Sequence, residues 1–448
     1  MQPSDPFGYV KDWRRKLDTT EGWWHSFELP DGTIINGVCD LPGLRNRLAQ
    51  FPIPDDLTGK RALDVGAWDG WFSFELERRG AEVVAVDSWD NPRFREIHAL
   101  TGSRVDYRQM DVYDLTPERI GRFDIVLFMG VLYHLKHPLL ALERICSVTT
   151  ELAAVDSFVL KEEHRPGELV NARPVMEFYE TNELGGQADN WVGPSLPCLL
   201  AFCRTAGFAR AELRSMLEHS ACVACYRRWE SPPLIPTTPP DLLAAFHGTN
   251  FGINFNSAAD EYVTCWFDCP LDALSLDDVK PEVSGYGVRP IEVRRAENSR
   301  WESGFRLPPG LTPGWHEVRL RIAGSANSNA HLIAVDLPVG KPDLVIHGLR
   351  DVATWTSDVI DLRIGNSLAV WVSGLPHNAD RENVRVLVDG RRLSVTDLEK
   401  PKDTEPRQVN VQVPRSEPAG MRRLQVKVGE GESEWRSLKV VNDLTNQG

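Results

Sequence analysis

The sequence predicts a multidomain protein in which an α/β domain is followed by two all-β domains. Between residues 60 and 160, short apolar runs alternate with segments of helical periodicity, which is typical of a parallel sheet with crossover helices. Residues 231–240 read SPPLIPTTPP, and five prolines in ten residues exclude a helix or a central strand there. Beyond this stretch, β-forming runs punctuated by turn residues replace the helical pattern, as in β-sandwiches.

The 448 residues suggest two to four domains at about 100–200 residues each. Since about 210 β-rich residues exceed one Ig-like sandwich of about 100, we expect two such modules, divided near Gly340. The predicted units are a cap segment at 1–59, the α/β domain at 60–230, a proline-rich linker at 231–240, and Ig-like β-sandwich modules at 241–340 and 341–448.

The net charge of −14 argues against a nucleic-acid-binding body. Residues 1–230 carry 26 bases and 35 acids, a difference of −9, so the α/β domain itself is acidic. The first residues lack the apolar core of a secretory signal, and no apolar run approaches the ~20 residues of a membrane-spanning helix. We therefore expect a cytoplasmic protein without membrane contact.

The cysteine pairs Cys222/Cys225 and Cys265/Cys269 have spacings that zinc sites also use. Both pairs fall in runs rich in aromatic and β-branched residues, which predict strands. On a strand, residues three apart face opposite sides of the sheet, and residues four apart are separated by roughly 13 Å. Small buried thiols are the preferred interpretation over zinc, and we expect a metal-independent protein.

The elements of the α/β domain follow in order from their local patterns. Buried strands are short apolar runs that end in glycine or aspartate, and helices show apolar residues three or four apart. The predicted strands are 61–66, 81–87, 105–111, 123–130 and 152–159; the predicted helices are 71–79, 138–147 and 196–206; a hairpin-like pair at 209–214 and 220–228 closes the domain.

The segment from Asp64 to Gly70, DVGAWDG, is the central chemical signal. Glycines after a strand let the backbone turn sharply and approach a ligand closely. A dinucleotide fingerprint would be G-x-G-x-x-G, but Trp68 stands where its middle glycine would be. This favours a nucleoside ligand without phosphates. Asp87 ends the next strand and suits two ribose hydroxyls, while Asp111 suits an adenine amino group. Strand-terminal aspartate is also common in ordinary turns.

These motifs resemble those of the class I S-adenosylmethionine-dependent methyltransferases, which have a Rossmann-like fold. LDVGAWDG matches the first motif, VVAVDSWD the ribose acid and MDVYDL the adenine acid. FDIVLFMGVLYHLKHPL and the segment RPVMEFYETNELGGQADNWVGPSLPCLLAFCRTAGF are similar to the subgroup that contains the tRNA wobble-uridine carboxymethyltransferases. The resemblance covers roughly residues 20–230 and implies S-adenosyl-L-methionine as cofactor, held by Asp64, Gly66, Ala67, Trp68, Gly70, Asp87, Ser88, Asp111, Val112, Met129 and Gly130.

The acceptor is predicted to be a small molecule or a glycan with a hydroxyl or amine group. Carboxymethyl-transferring relatives use a basic residue before the first motif, and no lysine or arginine lies between Thr19 and Leu44. The acidic body also suits tRNA poorly. Ordinary methyl transfer is therefore the leading hypothesis, and tRNA modification and a non-catalytic scaffold role are the alternatives.

Three residues are predicted to take part in catalysis. His134 is the natural group to remove a proton from the acceptor, or alternatively it stabilises the Tyr-His-Leu turn. Tyr133 would orient the acceptor or contact the cofactor. His25 lies in a segment that either folds over the cofactor or forms a surface hairpin with two tryptophans packed on the core. By position in the resembling segments, we also assign acceptor-binding roles to Trp24, His164, Glu177, Tyr179, Glu180 and Trp191. Glu177 and Glu180 are three apart, so they would share one helical face if their segment is helical.

The β-rich half carries no catalytic motif. Its tryptophans either stack on carbohydrate or belong to sandwich cores. Dimerisation or docking to a partner enzyme is an equally open role, because sandwich edges offer contact surfaces. The tryptophans concerned are Trp266, Trp301, Trp315, Trp355, Trp371 and Trp435.

Overall fold

The computed structural model describes residues 22–161, 172–217, 220–233, 237–296, 300–401 and 406–443. The chain first forms a cap beside the sheet. It consists of a hairpin of β1 (Phe27–Glu28) and β2 (Ile34–Ile35), followed by helix α1 (Leu41–Leu48). The carboxylate of Asp40 caps α1 by accepting the backbone N–H of Gly43, which satisfies one of the free donors of the first turn.

The α/β domain alternates strands and helices. Its elements are β3 (Arg61–Val65), α2 (Trp71–Arg78), β4 (Glu82–Asp87), α3 (Pro92–Thr101), β5 (Asp106–Gln109), α4 (Pro117–Ile120), β6 (Phe123–Met129), α5 (Pro138–Val148), β7 (Thr149–Phe158), β8 (Met176–Phe178), β9 (Val192–Pro194), α6 (Leu196–Thr205), β10 (Arg210–Met216) and β11 (Ser220–Tyr226). Short 3₁₀ turns occupy Val112–Asp114 and Leu132–His134.

Seven strands form one sheet in the order β10-β11-β7-β6-β3-β4-β5. The five strands from β7 to β5 are parallel to their neighbours, and β11 is antiparallel to both β7 and β10. Apolar cores lie on both faces, since the side chains of a strand alternate between them. The predicted Rossmann-like fold is confirmed. The strand order reverses at β3, where β4 and β6 flank it, and such a sheet places ligand sites at the carboxyl ends of these strands.

Helix α3 was missing from the sequence-based prediction. Its ends carry ordinary signals, because Asn91 caps it, Pro92 opens it and Gly102 closes it with φ of 62°. Only Phe94 and Ile97 of the helix are buried, so its apolar stripe is too narrow to stand out as a periodic pattern.

The rest of the chain is built from strands. The first group is β12 (Asp241–His247), β13 (Asn254–Phe255), β14 (Tyr262–Asp268), β15 (Val279–Val283), β16 (Tyr286–Gly287), β17 (Pro290–Arg295), β18 (Trp301–Arg306), β19 (Gly314–Ile322) and β20 (His331–Val335). The second is β21 (Val345–Asp351), β22 (Val359–Asp361), β23 (Ser367–Ser373), β24 (Val384–Val388), β25 (Arg391–Leu398), β26 (Arg407–Gln412), β27 (Gly420–Val428), β28 (Gly431–Glu432) and β29 (Arg436–Val441).

Each group encloses its own apolar core. The first group forms sheets β12-β14-β18-β17 and β13-β20-β19-β15-β16, which share one core. The second forms the path β21-β23-β26-β25-β24-β27-β29-β22 around another core. The β-rich prediction is confirmed, and the Ig-like assignment stays a prediction. The cysteine runs lie on β11 and β14 as strands, where burial raises the pKa values of the Cys222 and Cys265 thiols.

Polar contacts join the α/β domain to the first β group. The fully buried Arg227 donates to the backbone oxygens of Gly207 and Pro309, and its guanidinium lies 4.2 Å from the ring centre of Tyr286. Trp229 donates its indole N–H to the oxygen of Pro281 at 2.8 Å. A buried cation with several carbonyl partners fixes the relative position of the two units. Among the described residues, no helix has the length and apolarity needed to cross a membrane.

Candidate functional site

A cavity of about 860 Å³ lies at the carboxyl ends of the parallel strands. Its walls come from the cap, the turn after β3, the ends of β4 and β5, the loop after β6, and the segment before β9. These elements bring together most of the predicted site residues: Trp24, His25, Asp64, Gly66, Ala67, Trp68, Asp87, Ser88, Asp111, Val112, Met129, Gly130, Tyr133, His134 and Trp191.

The turn after β3 has the backbone shape that its glycines suggest. Gly66 has φ of 77°, and a Cβ at this position would meet Cγ2 of Val131 at 2.3 Å. Only glycine therefore lets the turn and the loop after β6 meet at the floor of the cavity. Gly70, with φ of 93°, begins α2 and packs on Phe94 instead of lining the cavity.

Asp87 organises the rim beside this turn. Its carboxylate accepts the backbone N–H of Trp68 at 2.9 Å and that of Trp89 at 3.1 Å. Burial raises the pKa of Asp87, and the backbone donors partly oppose that shift because they stabilise the ionised form. The indoles of Trp68 and Trp89 are exposed, with ring centres 5.6 Å apart. The rim thus combines a fixed carboxylate with two accessible aromatic rings.

Asp64 is buried beneath the turn and has one strong donor. The hydroxyl of Ser73, in the first turn of α2, donates to it at 2.6 Å. Burial raises the pKa of Asp64 to about 6, because the ionised form loses its hydration, while the Ser73 hydroxyl works in the opposite direction. At neutral pH, the folded protein therefore holds a buried carboxylate at a cost in stability.

We expect Asp64→Asn to stabilise the protein at pH 7.5 and to have little effect near pH 4. Below the unfolded pKa of 3.8 both states are protonated; between 3.8 and about 6 the unfolded state loses its proton first, so stability falls as pH rises. Above pH 6 the buried Asp64 carboxylate lowers the free energy of unfolding by its full amount, at most about 3 kcal/mol. The neutral amide of Asp64→Asn removes this loss. Thermal unfolding at both pH values measures this. Asp90→Asn, at an exposed position, is the control, and lower stability of Asp64→Asn at pH 7.5 would contradict the prediction.

Asp111 lies just beyond β5, which ends at Gln109, and not at the strand end that the sequence predicted. Its carboxylate accepts the backbone N–H of Tyr113 at 2.9 Å and so caps the 3₁₀ turn at Val112–Asp114. The turn role foreseen for strand-terminal aspartate is therefore real for this residue. Asp111 also lines the cavity beside Met110.

His25 and Asp69 form a buried pair at the cavity wall. Nδ1 of His25 is hydrogen-bonded to Oδ1 of Asp69. The other oxygen of Asp69 accepts the backbone N–H groups of Trp24 and His25, each at 2.9 Å. The His25 ring also rests edge-on against Phe72, with ring centres 5.4 Å apart. Three hydrogen bonds and this ring contact hold the imidazole in one orientation.

Packing of the segment around His25 places its side chain at the cavity wall. Gly37 crosses the backbone of His25 so closely that a Cβ would meet its carbonyl carbon at 2.3 Å. Trp23 and Phe27, on either side, are buried against the core of the α/β domain. The segment therefore packs on the core through Trp23 and lines the cavity through Trp24 and His25, and a fold over the cofactor stays a prediction. Asp69 was missed by sequence reasoning, although it stands inside the glycine turn.

His134 and Tyr133 also line the cavity. Nδ1 of His134 is 3.2 Å from the backbone oxygen of Asp189, and burial lowers the pKa of the imidazole. The rings of Tyr133 and His134 have centres 4.4 Å apart. The Tyr133 hydroxyl lies next to Gly130, at 3.6 Å from the point where a Cβ would be. A neutral imidazole that can accept a proton thus faces the cavity at neutral pH.

The segment before β9 contains a side-chain oxygen that has no hydrogen-bond donor among the described residues. Asn190 is buried, lines the cavity and donates from Nδ2 to the oxygen of Leu184 at 2.8 Å. Its Oδ1 has no hydrogen-bond partner among the described residues. Beside it, the Lys136 ammonium lies 4.1 Å from the ring centre of Trp191. A buried amide oxygen left unpaired is costly, so a ligand N–H or O–H is the natural partner.

Three of the predicted acceptor-binding residues do not line the cavity. The segment of Glu177 and Glu180 is not helical: Glu177 lies on strand β8, so the two carboxylates do not share a helical face. Tyr179 is buried in a small separate core and donates its hydroxyl to Glu177 at 2.9 Å. His164 lies outside the described residues.

Arg47 is a basic residue of the cavity wall that sequence reasoning missed. Only the stretch from Thr19 to Leu44 was considered in the sequence, and it contains no lysine or arginine. Arg47 lies about one helical turn after Leu44, on α1. It donates to the buried carboxylate of Asp156 with Nε at 2.9 Å and Nη2 at 2.6 Å. A basic residue before the glycine turn is therefore present, with its charge offset by a two-point ion pair.

The fold and this cavity are those of a Rossmann-like methyltransferase domain. Residues 63–151 match the family described as "Methyltransferase domain". Together, the sheet and this match define a class I methyltransferase domain, the class that uses S-adenosylmethionine.

The chain is also similar to curated proteins over a short stretch. Over 86 residues, 18% of this chain and 36% of the relative, the chain is 40% identical to the ubiquinone biosynthesis O-methyltransferase of Marinobacter nauticus. The protein of the same name from Azotobacter vinelandii is 42% identical over 84 residues, with the same coverage of both chains. The chain therefore spans little more than a third of the length of these relatives.

The solved structures found by comparison include the N-terminal domain of EvdMO1, in the presence of SAH and D-fucose. It is 20% identical, with a TM-score of 0.36, over 48% of this chain and 95% of that one. The 1,6-didemethyltoxoflavin-N1-methyltransferase of Burkholderia thailandensis is 19% identical, with a TM-score of 0.30, over 38% and 71%.

Proposed function

We propose that this chain transfers a methyl group from S-adenosylmethionine to a hydroxyl or amine group of a small molecule or glycan, without a metal ion. The observation that carries this proposal is one cavity with two unlike ends. The glycine turn, Asp87 and Asp111 line one part of the cavity, and His25, which Asp69 holds from behind, lines another part together with His134 and Asn190. The relatives named for O-methyl transfer support oxygen as the receiving atom.

The residues present at the first end fit a nucleoside cofactor. Asp87 offers carboxylate oxygens at a buried rim, and Gly66, without a side chain, leaves room for Val131 to pack against the turn at the cavity. Trp68 occupies space that a pyrophosphate would need, which agrees with a ligand that lacks one. S-adenosylmethionine, when bound, supplies a methyl group that its sulphonium has already activated, so the protein chiefly has to align and desolvate the acceptor.

The cavity size favours a small acceptor. Sites for small ligands have volumes of about 300–1,000 Å³, and 860 Å³ is near the upper end of this range. A cofactor and a compact acceptor together suit that volume. The acidic composition of the domain remains an argument against tRNA, although Arg47 weakens the earlier argument against carboxymethyl transfer.

The chain's own residues would handle the acceptor proton. With Nδ1 of His25 engaged by Asp69, Nε2 is the ring nitrogen able to take a proton from a hydroxyl or amine. The Asp69 carboxylate then stabilises the resulting imidazolium. The Asn190 oxygen would accept a second hydrogen bond from the acceptor, and the cap would keep water away from the reacting groups.

Titration calorimetry of the whole chain with S-adenosylhomocysteine tests the proposal at its base. We expect saturable binding at one site per chain with a micromolar dissociation constant, and methyl transfer from labelled S-adenosylmethionine to members of a phenol, amine and sugar panel. The absence of binding at millimolar cofactor would refute the enzyme and leave a scaffold. Tight tRNA binding with a steep salt dependence would favour the nucleic-acid alternative.

A further inference from the structure

A second concave site lies in the second β group, far along the chain from the methyltransferase domain. It is a groove of about 400 Å³, lined by His347, Gly348, Arg350, Trp355, Trp371 and Pro406, and is called the Trp355 groove below. Strands β21 and β23 form its floor, and their pairing shifts between Ile346 and Gly348 as a β-bulge. Bulges re-aim side chains and are frequent beside functional sites.

Trp355 projects from the loop between β21 and β22. Its side chain is 54% exposed, and its backbone has φ of 57°, in the left-handed region that a bulky residue rarely adopts. An exposed indole contributes little burial energy to folding, and the left-handed backbone conformation lowers the stability of the folded state. Neither feature contributes to folding, so the placement of Trp355 needs another explanation.

The loop is built to hold this tryptophan in place. Asp351 is fully buried, and its carboxylate accepts the backbone N–H groups of Ala353 at 2.7 Å, Thr354 at 3.2 Å and Asp361 at 2.8 Å. The Trp355 N–H donates to the Asp351 backbone oxygen at 2.8 Å. A buried carboxylate with three backbone donors holds the loop backbone in place, so less ordering of the loop is needed when a ligand binds.

The groove offers both apolar faces and hydrogen-bond donors. The rings of Trp355 and Trp371 meet at 86° with centres 6.0 Å apart, which forms an aromatic corner. The Arg350 guanidinium lies 5.3 Å from the Trp355 ring centre and has no hydrogen bond or ion pair to a described residue. His347 is hydrogen-bonded through Nε2 to the Ser373 hydroxyl at 2.8 Å. No carboxylate is among the described residues that line the groove.

We propose that the Trp355 groove binds a saccharide, and that Arg350 gives it a preference for an acidic sugar such as a hexuronic acid. A pyranose ring has an apolar C–H face that stacks on an indole and an edge of hydroxyls that accept N–H donors. A guanidinium that has no anionic partner in the described part of the chain is suited to pair with a sugar carboxylate. A proline-rich peptide, which also docks in aromatic-lined grooves, is the alternative occupant that the test includes. This proposal does not depend on methyl transfer.

The test is calorimetric titration of the whole chain with an oligogalacturonide, a neutral cello-oligosaccharide and a proline-rich peptide. We expect the acidic saccharide to bind best, Trp355→Ala to weaken it at least about tenfold, and Trp355→Phe to restore part of the affinity. Arg350→Ala should remove the preference for the acidic sugar over the neutral one.

Trp435→Ala is a matched control, because Trp435 is 41% exposed in the same β group and lies 5.1 Å from the guanidinium of Arg423. It should bind the saccharide like the unaltered chain. Equal losses in Trp355→Ala and Trp435→Ala, no saccharide binding at millimolar concentration, or binding of the peptide alone would each overturn the proposal. Circular dichroism and binding of S-adenosylhomocysteine report folding of each variant separately.

Discussion

Replacement of Asp87 by alanine is expected to lower the affinity for S-adenosylhomocysteine at least about 100-fold. The Asp87 carboxylate is the acceptor proposed for two ribose hydroxyls, and each hydrogen bond to a charged group contributes about 1.5–3 kcal/mol. The same carboxylate accepts the N–H groups of Trp68 and Trp89, so its loss also loosens the turn that borders the cavity. Titration calorimetry measures the affinity directly.

Two further variants separate these contributions. Asp87→Asn keeps one acceptor oxygen in the same place, so we expect a loss smaller than that of the alanine variant. Asp90→Ala, in the same loop, removes an exposed carboxylate whose partner is Arg95, and it should bind the cofactor normally. Normal binding by Asp87→Ala would show that the ribose assignment is wrong. Thermal unfolding of each variant confirms that the domain remains folded.

Replacement of His25 by alanine is expected to lower kcat by about 100- to 10,000-fold, the usual contribution of a positioned proton acceptor. The affinity for S-adenosylhomocysteine should stay near that of the unaltered chain, because the role proposed for His25 concerns the acceptor. Asp69→Asn should lower kcat in the same direction, since it removes the negative charge that stabilises the protonated imidazole.

His134→Ala and His377→Ala complete this set. His134 is the other imidazole on the cavity wall, and burial lowers its pKa, so any decline in rate that it causes should lie below its ordinary pKa of about 6.5. His377 is exposed in the second β group and serves as the control with unchanged rate. The dependence of kcat on pH separates the two histidines. If His25→Ala retains full activity while His134→Ala removes the fall in kcat at low pH, then His134 is the proton acceptor. The His25–Asp69 pair would then only shape the cap.

Much of the fold followed from local patterns. The buried strands β3, β4 and β6 are short apolar runs that end in glycine or aspartate, and such runs identify themselves without knowledge of their neighbours. Helix α3 was not predicted because only two of its residues are buried. Strand β8 was open to a helical interpretation because its three residues are too few to show the alternating pattern of a strand. Short elements gain their conformation from tertiary packing, which a local pattern does not contain.

The sequence by itself determined the end of the cavity that we propose to bind the cofactor. The glycine turn, Asp87 and Asp111 follow successive parallel strands, and the carboxyl ends of such strands meet at one edge, so chain order alone placed them together. The tertiary structure decided the part of the cavity that we propose to bind the acceptor. Asp69 meets His25 across 44 positions and Arg47 meets Asp156 across 109, while Tyr179 turns into a separate core. These contacts depend on how the cap and the segment before β9 pack on the sheet. Tertiary packing decides which side chains distant in sequence meet, and their spacing along the chain does not reveal it.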